Sequence, residues 1–171
     1  MRIIGIDPGK NGYIAVLQDG KYEFAFIMPT LPVSKKTTKR DFDVKDMTSS
    51  LVAIQSYNPS IDLVVIEKQQ ARPAPEGRGS IFSTGRGFGL LEGIVAALGY
   101  PYIIVHPKTW QKVMHAGVQG DNTKTRSILA AGRLFPDVDM RKTERCKKAH
   151  DGKAEALLLA MYGHKYLNGG M

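Results

Sequence analysis

Apolar residues fall along this chain in two rhythms. Up to about residue 28 they come in short runs: residues 2–7 and roughly 11–17 read as strands joined by a tight turn through Pro8 and Gly9. QDGK (Gln18–Lys21) is a hairpin signal, because Asp-Gly accepts the positive φ angles that such turns require. YEFAFIM (Tyr22–Met28) follows as a partly alternating third strand, so the chain is expected to open with an antiparallel meander. The spacing then lengthens. Val44–Tyr57 has the apolar spacing of a helix, Ile61–Glu67 is a buried-strand run, and a Gly-, Arg- and Pro-rich loop leads into a helix from about Ser83 to Leu98. Tyr102–Val105 is a short strand, residues near 107–114 and 122–134 are helical, and about 151–166 form a strongly apolar helix. A meander followed by alternating helices and strands predicts an α/β fold, a mixed sheet with helices on its faces. No repeat or linker interrupts the pattern, so residues 1–171 read as one domain long enough to bury a core.

Two of the strands break the apolar pattern in the same way. The first ends on Asp7 after Ile6, and the run IDLVVIE ends on Glu67 after Ile66. If these strands are adjacent and parallel, their carboxylates meet at the carboxyl edge of the sheet, where open α/β sheets usually build sites. A third acidic feature is HDGKAEALLLAMYG (His150–Gly163). Asp151 and Glu155 are four apart, hence neighbours on one helical face, where like charges cost roughly 0.2–0.5 kcal/mol. Glu155 also runs straight into Ala156–Ala160, a segment destined for burial, and a partly buried carboxylate is costly unless paired or metal-bound. Each acid has an innocent reading: Asp7 capping a turn, Glu67 merely ending a strand, Asp151 as a helix N-cap with Glu155 favouring the positive helix end. Taken together they suit another chemistry. Asp7, Glu67, Asp151 and Glu155 offer the all-oxygen ligand set that hard divalent cations such as Mg²⁺ prefer. Two such ions, roughly 3.5–4 Å apart, stabilise both the attacking and the leaving oxygen of a phosphodiester displacement.

Charge strengthens the case for a polyanionic partner. Lys and Arg number 24 against 16 Asp and Glu, a net charge of +8, which favours nucleic acid first and a membrane surface second. The bases cluster. SKKTTKR (Ser34–Arg40) has four bases and no acid, and RKTERCKK (Arg141–Lys148) has five bases and one acid. Neither has the amphipathic periodicity of a membrane-surface helix, and no apolar run approaches the ~20 residues that span a bilayer. The N-terminus carries no secretory pattern. Cys146 is the only cysteine, which excludes an intrachain disulfide and argues against a Cys-based zinc site; a reducing, cytoplasmic setting is expected.

At this point the motifs taken in order resemble a known family. IIGIDPGKNG, VVIEKQ, GFGLLEGIVAALGYP, HPKTWQK and HDGKAEALLLAMYG, spread over nearly the whole chain, are similar to the RuvC-type Holliday junction resolvases. The PxxW and DGKAEALL wording looks closest to the phage-borne and chloroplast branches. The resemblance implies an RNase H-like five-stranded mixed sheet, a homodimer, and Mg²⁺-dependent paired nicking of four-way DNA junctions, with Mn²⁺ as an alternative metal and two ions per site. Asp7 and Glu67 match the family's first two catalytic, metal-binding acids and Glu155 the last; Asp151 lies one residue upstream of the remaining one. Actin-like kinases also begin with a strand-Asp-Gly pattern, but they need two such domains around a nucleotide, and no P-loop is present. A flap or RNase H-type nuclease and a non-catalytic junction-binding protein remain as alternative functions.

DNA contacts are expected from several groups. Lys35, Lys36, Lys39 and Arg40 come from the first basic segment, and Lys108 and Lys124 lie among the bases (with Lys112 and Arg126) that precede the last helix. The loop after Glu67, KQQARPAPEGRGSIFSTGRGFG, carries Arg72, Arg78 and Arg86 with Phe82 and Phe88, a combination suited to phosphate contact plus base stacking. In similar resolvases an aromatic in this region wedges into the junction, and Phe82 is the candidate. His150 has two readings, a surface residue or a proton or phosphate contact, and Trp110 reads as core. Gly85, Gly89, Gly93 and Ala97 fall four apart on one helical stripe. Each interior glycine costs roughly 0.8–1.0 kcal/mol against alanine, which asks for a close backbone neighbour. Either the chain's own sheet or the same helix of a second subunit would serve.

Overall fold

The computed structural model describes residues 1–57, 60–70 and 77–170; the side chains at positions 57 and 78 lie outside that description. A five-stranded sheet is ordered β3-β2-β1-β6-β7. Strands β1 (Arg2–Ile6), β2 (Tyr13–Gln18) and β3 (Lys21–Ile27) form the expected meander. Its hairpin turns at Asp19 and Gly20, whose φ values of 52° and 76° are the positive angles that Asp-Gly tolerates. Strand β6 (Leu63–Glu67) then joins β1 in parallel, and β7 (Tyr102–Val105) joins β6 in parallel. The sheet is therefore mixed, as the order of elements predicts.

Period-two alternation sends side chains to two cores. Ile3, Ala15, Leu17, Leu63 and Val65 face one side, where α3 (Pro107–Met114), α4 (Thr123–Leu134) and α5 (Asp151–Leu167) supply Trp110, Ala131 and Leu157–Ala160. Ile4, Ile6, Ile14, Val16, Val64 and Ile66 face the other, against Met47 and Leu51 of α1 (Val44–Tyr57) and Leu91 and Val95 of α2 (Arg78–Ala97). No helix among the described residues is long and apolar enough to cross a membrane.

Two details depart from the sequence expectations. Residues Thr30–Pro32 and Arg40–Phe42 pair as a separate two-stranded sheet, β4 and β5, which carries the basic 33–39 segment at its tip. Strands of three residues have no periodicity to read, and Pro32 speaks against one. Helix α2 begins at Arg78, about five residues earlier than expected, so Phe82 projects from a helix and not from a loop. The glycines there suggested irregular chain; burial of Leu91 and Val95 further along outweighs their cost in propensity.

Helix α5 runs against β1 at backbone distance. A Cβ on Gly5 would overlap the Ala156 carbonyl and the Ala160 amide, and one on Gly163 would strike Ile3 and Val65. We expect Gly5→Ala to lower unfolding free energy by about 3 kcal/mol, the upper end of core overpacking, as read by urea denaturation. Gly132→Ala, on an exposed turn of α4 with open space around it, should instead be neutral or stabilising. Equal behaviour of the two variants would contradict the packing described.

Candidate active site

The register Ile6↔Ile66 between parallel β1 and β6 makes Asp7 and Glu67 the next pair along the same sheet edge. Asp7 is held rigidly. Its amide donates to the Tyr13 carbonyl at 3.0 Å, and the Gly9 amide donates to its Oδ1 at 3.4 Å. Helix α5 presents its first turn to this point: a Cβ on Gly152 would lie 2.9 Å from Asp7 Oδ2 and from the Asn11 carbonyl, so only glycine lets the helix start so close. Asp151 and Glu155 flank Gly152 on α5, one turn apart. His150, not Asp151, is the flanking residue of the helix, and it makes no side-chain cap.

The four carboxylates feel one another. Burial, then Glu67, push the Asp7 carboxyl up to about 7 against the opposing pull of the Gly9 amide, with a lesser push from Asp151 and a lesser pull from Lys124. Burial, then Asp7, Glu67 and Asp151, push Glu155 up to about 8. Asp151 goes the other way: burial raises it, but Lys124, whose Nζ lies 2.5 Å from Oδ2, outweighs that and holds it below the ordinary range. Among the described residues no three His, Cys, Asp or Glu side chains close into a finished coordination group. The donor chemistry nonetheless fits a hard divalent cation, since every donor is a carboxylate oxygen and two of the acids have pKa values raised by burial and by the other acids, which a cation would relieve. Asp7, Glu67, Asp151 and Glu155 would hold it.

Neighbouring side chains that the sequence did not single out fix the two glutamates. Trp110 Nε1–H donates to Glu67 Oε1 at 3.0 Å and Gln69 Nε2–H to Glu67 Oε2 at 3.2 Å. Ser127 Oγ–H donates to Glu155 Oε1 at 3.3 Å. Trp110 is buried, as its core reading requires, and its one polar atom reaches the acid cluster. A sequence separation of 43 between Trp110 and Glu67 leaves no trace of that pairing in the sequence.

The expected DNA contacts are dispersed around this edge. Lys35, Lys36 and Lys39 are exposed at the tip of the β4–β5 hairpin, and Arg40 is tied to the hairpin itself through Thr30 Oγ1 at 2.7 Å. Arg86 is engaged by both oxygens of Asp41 at 2.7 and 2.9 Å, and Lys10 reaches the same carboxylate at 3.6 Å while lying over the Phe42 ring. Phe82 is 72% exposed on α2, whereas Phe88 packs against the core. Lys108 is exposed on α3, and Lys124 belongs to the acid cluster through Asp151. Arg72 and the Arg78 side chain lie outside the described residues. His150 packs on Tyr13 with ring centroids 5.0 Å apart, and burial holds its imidazole below its ordinary pKa. Pro8, Gly9, Lys10, Phe42, Gln69 and the hydroxyls of α2 line a groove of about 370 Å³ beside Asp7.

Comparison of the whole structure with solved ones gives a consistent answer. RuvC of T. thermophilus in complex with a Holliday junction substrate superposes with a TM-score of 0.67 at 14% identity, covering 99% of this chain and 97% of that one. The fold is that of the Holliday junction resolvases. The yeast mitochondrial resolvase Ydc2 matches with a TM-score of 0.56 at 13% identity over 97% of this chain and 78% of its own. Fowlpox virus resolvase, crystallised with its substrate junction DNA, matches at 0.51 and 16% over 98% and 99%. No protein-family model matches the chain, and neither does the sequence of any curated protein. The similarity is thus carried by architecture.

The protonation of the cluster has a measurable consequence. A raised carboxyl pKa stabilises the fold fully below the unfolded value and is lost as pH rises through the folded one, here about 7 for Asp7 and about 8 for Glu155. In EDTA, Glu155→Gln should therefore gain on wild type in thermal midpoint as pH rises from about 5 to about 9. Added Mg²⁺ should stabilise wild type most at the alkaline end. A difference that does not change with pH would show that Glu155 is not in this electrostatic cluster.

Proposed function

We propose that the protein is a divalent-metal-dependent endonuclease that resolves four-way DNA junctions by paired nicks. The observation carrying this reading is the convergence of two strand-end acids and two acids of one helical turn on a single edge, where burial and the neighbouring acids raise the pKa of Asp7 and Glu155. The fold shared with junction resolvases, the net charge of +8 and Lys124 at the cluster support it.

Two Mg²⁺ ions per site, or Mn²⁺ in their place, would supply the Lewis acidity and the activated water that phosphodiester hydrolysis needs. The chain supplies the frame. Asp7 and Glu67 sit on strand ends that cannot swing, so they set the position of the scissile phosphate relative to the sheet. Glu155 and Asp151 close the site from α5, and Lys124 neutralises part of the cluster and lies where a phosphate oxygen would approach. The hairpin bases Lys35, Lys36, Lys39 and Arg40 would hold the backbone of a DNA arm, with Arg72, Arg78, Arg86 and Lys108 as further contacts and Phe82 as the exposed aromatic facing the branch point. Hydrolysis would leave 5′-phosphate and 3′-hydroxyl ends that ligase can join.

Asp7→Asn, Glu67→Gln and Glu155→Gln should each abolish cleavage while junction affinity stays close to wild type, and Asp151→Asn should be severely impaired. Incubating wild type with a four-way junction, a 5′ flap and an RNA–DNA hybrid in Mg²⁺ decides the substrate. Preferential cutting of the junction, lost in EDTA, supports the proposal. Preference for flap or hybrid would replace the substrate class, and binding with no cutting in Mg²⁺ or Mn²⁺ would make it a junction-binding protein.

Paired nicks require two sites at a fixed separation, so the protein would act as a homodimer. Helix α2 supports this. Gly85, Gly89 and Gly93 have open space around them, so the chain's own sheet is not the neighbour their lack of side chains serves. Gly89 and Gly93 border an apolar groove with Thr48, Leu90, Ile94, Ala97 and Leu98. Gly93→Leu should shift the folded protein towards monomer in sedimentation, and a cruciform plasmid should then be nicked, not linearised. A Gly93→Leu protein that stays dimeric and cuts in pairs would place the interface elsewhere.

A further inference from the structure

We infer that Trp110, His115 and Ser127 form a buried positioning chain that joins Glu67 to Glu155 and sets both glutamates for cation binding, an inference that rests on the metal-dependent reading above. The chain is continuous. Trp110 Nε1 bonds Glu67 Oε1 at 3.0 Å; the Trp110 and His115 rings meet edge-on, with centroids 5.5 Å apart and planes at 77°; His115 Nε2 lies 3.1 Å from Ser127 Oγ; and Ser127 Oγ bonds Glu155 Oε1 at 3.3 Å. It crosses from β6 through α3 and α4 to α5, and so ties elements that only the fold brings together.

Hydrogen-bond counting gives the chain a direction. Ser127 has a single proton, and giving it to Glu155 obliges the hydroxyl to accept from His115. The neutral tautomer of His115 carrying its proton on Nε2 satisfies both bonds. Burial, then the nearby Arg126, hold His115 below its ordinary pKa, in keeping with a neutral ring. Every donor in the chain therefore points towards an acid. Packing alone does not account for this. Ser127 is wholly inaccessible beside Ala130 and Ala131 on α4, where alanine would fill the same space without a hydroxyl to satisfy. Phenylalanine would serve a purely apolar site at Trp110, which also has no accessible surface.

The glutamates need such support more than the aspartates do. Asp7 is fixed by the turn that follows β1, and Asp151 by Lys124. A glutamate has one more rotatable bond, and two like charges converging on one edge drive their side chains apart. Hydrogen bonds to one oxygen of each hold them in place before a cation arrives. Ligand-orienting partners of this kind typically change metal affinity by about 10–100-fold.

The test uses the full chain without DNA. Mn²⁺ affinity is measured calorimetrically for wild type, Ser127→Ala, Ser127→Thr, His115→Leu, His115→Gln and Trp110→Phe, each first shown to be folded by its thermal melt. Ser127→Ala and Trp110→Phe should bind Mn²⁺ about tenfold more weakly, and His115→Leu should follow them. Ser127→Thr and His115→Gln, which keep a donor, should return towards wild type. Because Trp110 is the only tryptophan, its indole N–H gives one resonance, which should move on Mg²⁺ titration of wild type and saturate at higher Mg²⁺ in Ser127→Ala. Should Trp110→Phe or His115→Leu fail to fold, the Ser127→Ala and Ser127→Thr pair decides alone. Wild-type Mn²⁺ affinity in Ser127→Ala, with wild type itself binding Mn²⁺ and cutting, overturns the positioning chain and leaves the nuclease reading intact. A wild type that neither binds Mn²⁺ nor cuts overturns both.

Discussion

Everything at the carboxylate edge depends on helix α5 meeting strand β1 backbone to backbone at Gly5. Gly5 removes the obstacle in the strand, Gly163 removes it further along the helix, and Gly152 removes it at the helix start, where Asp7 stands. Spacing a helix off a sheet by ordinary side chains puts their axes about 10 Å apart, too far for a short carboxylate on each to share a neighbourhood. Backbone contact brings Asp7 on the strand close enough to raise the pKa of Glu155 on the helix. The cost is borne by the long apolar segment Ala156–Ala160, whose burial anchors the helix over the sheet.

Much of this was legible before any coordinates. The continuous apolar runs of β1 and β6 pointed to a sheet covered by helices, and Ile3 and Ile4, or Val64 and Val65, do go to opposite cores. The acids at the ends of β1 and β6 were conspicuous because each follows apolar residues without a break. The i, i+4 relation of Asp151 and Glu155 needed only helical geometry.

What escaped was of two kinds. The β4–β5 hairpin is too short for periodicity, and its pairing is held by Arg40 and Thr30, an arrangement written in three dimensions. The contacts of Trp110, Ser127 and His115 are also spatial; each residue alone has an ordinary reading as core or helix interior. The glycines of α2 misled in one direction only. Their abundance pointed to loop, so the helix start was placed late, yet Gly87 turns out to accommodate the Phe42 ring, while Gly89 and Gly93 face open space.

Asp41 gives the groove beside Asp7 a resident counter-ion. It already satisfies Arg86 and Lys10, so those two bases are not bare positive charge waiting for a polyanion. An incoming phosphate there exchanges with a carboxylate instead of displacing dissolved cations, and such an exchange gains far less from low ionic strength than contact with the open lysines of the hairpin. A long-range encounter would begin at the hairpin tip. Seating in the groove would come afterwards, and only for a backbone whose phosphates present themselves closely enough together to outcompete an acid fixed to the protein. On the proposed function the two halves of the basic surface would differ in kind, one suited to capture and the other to discrimination.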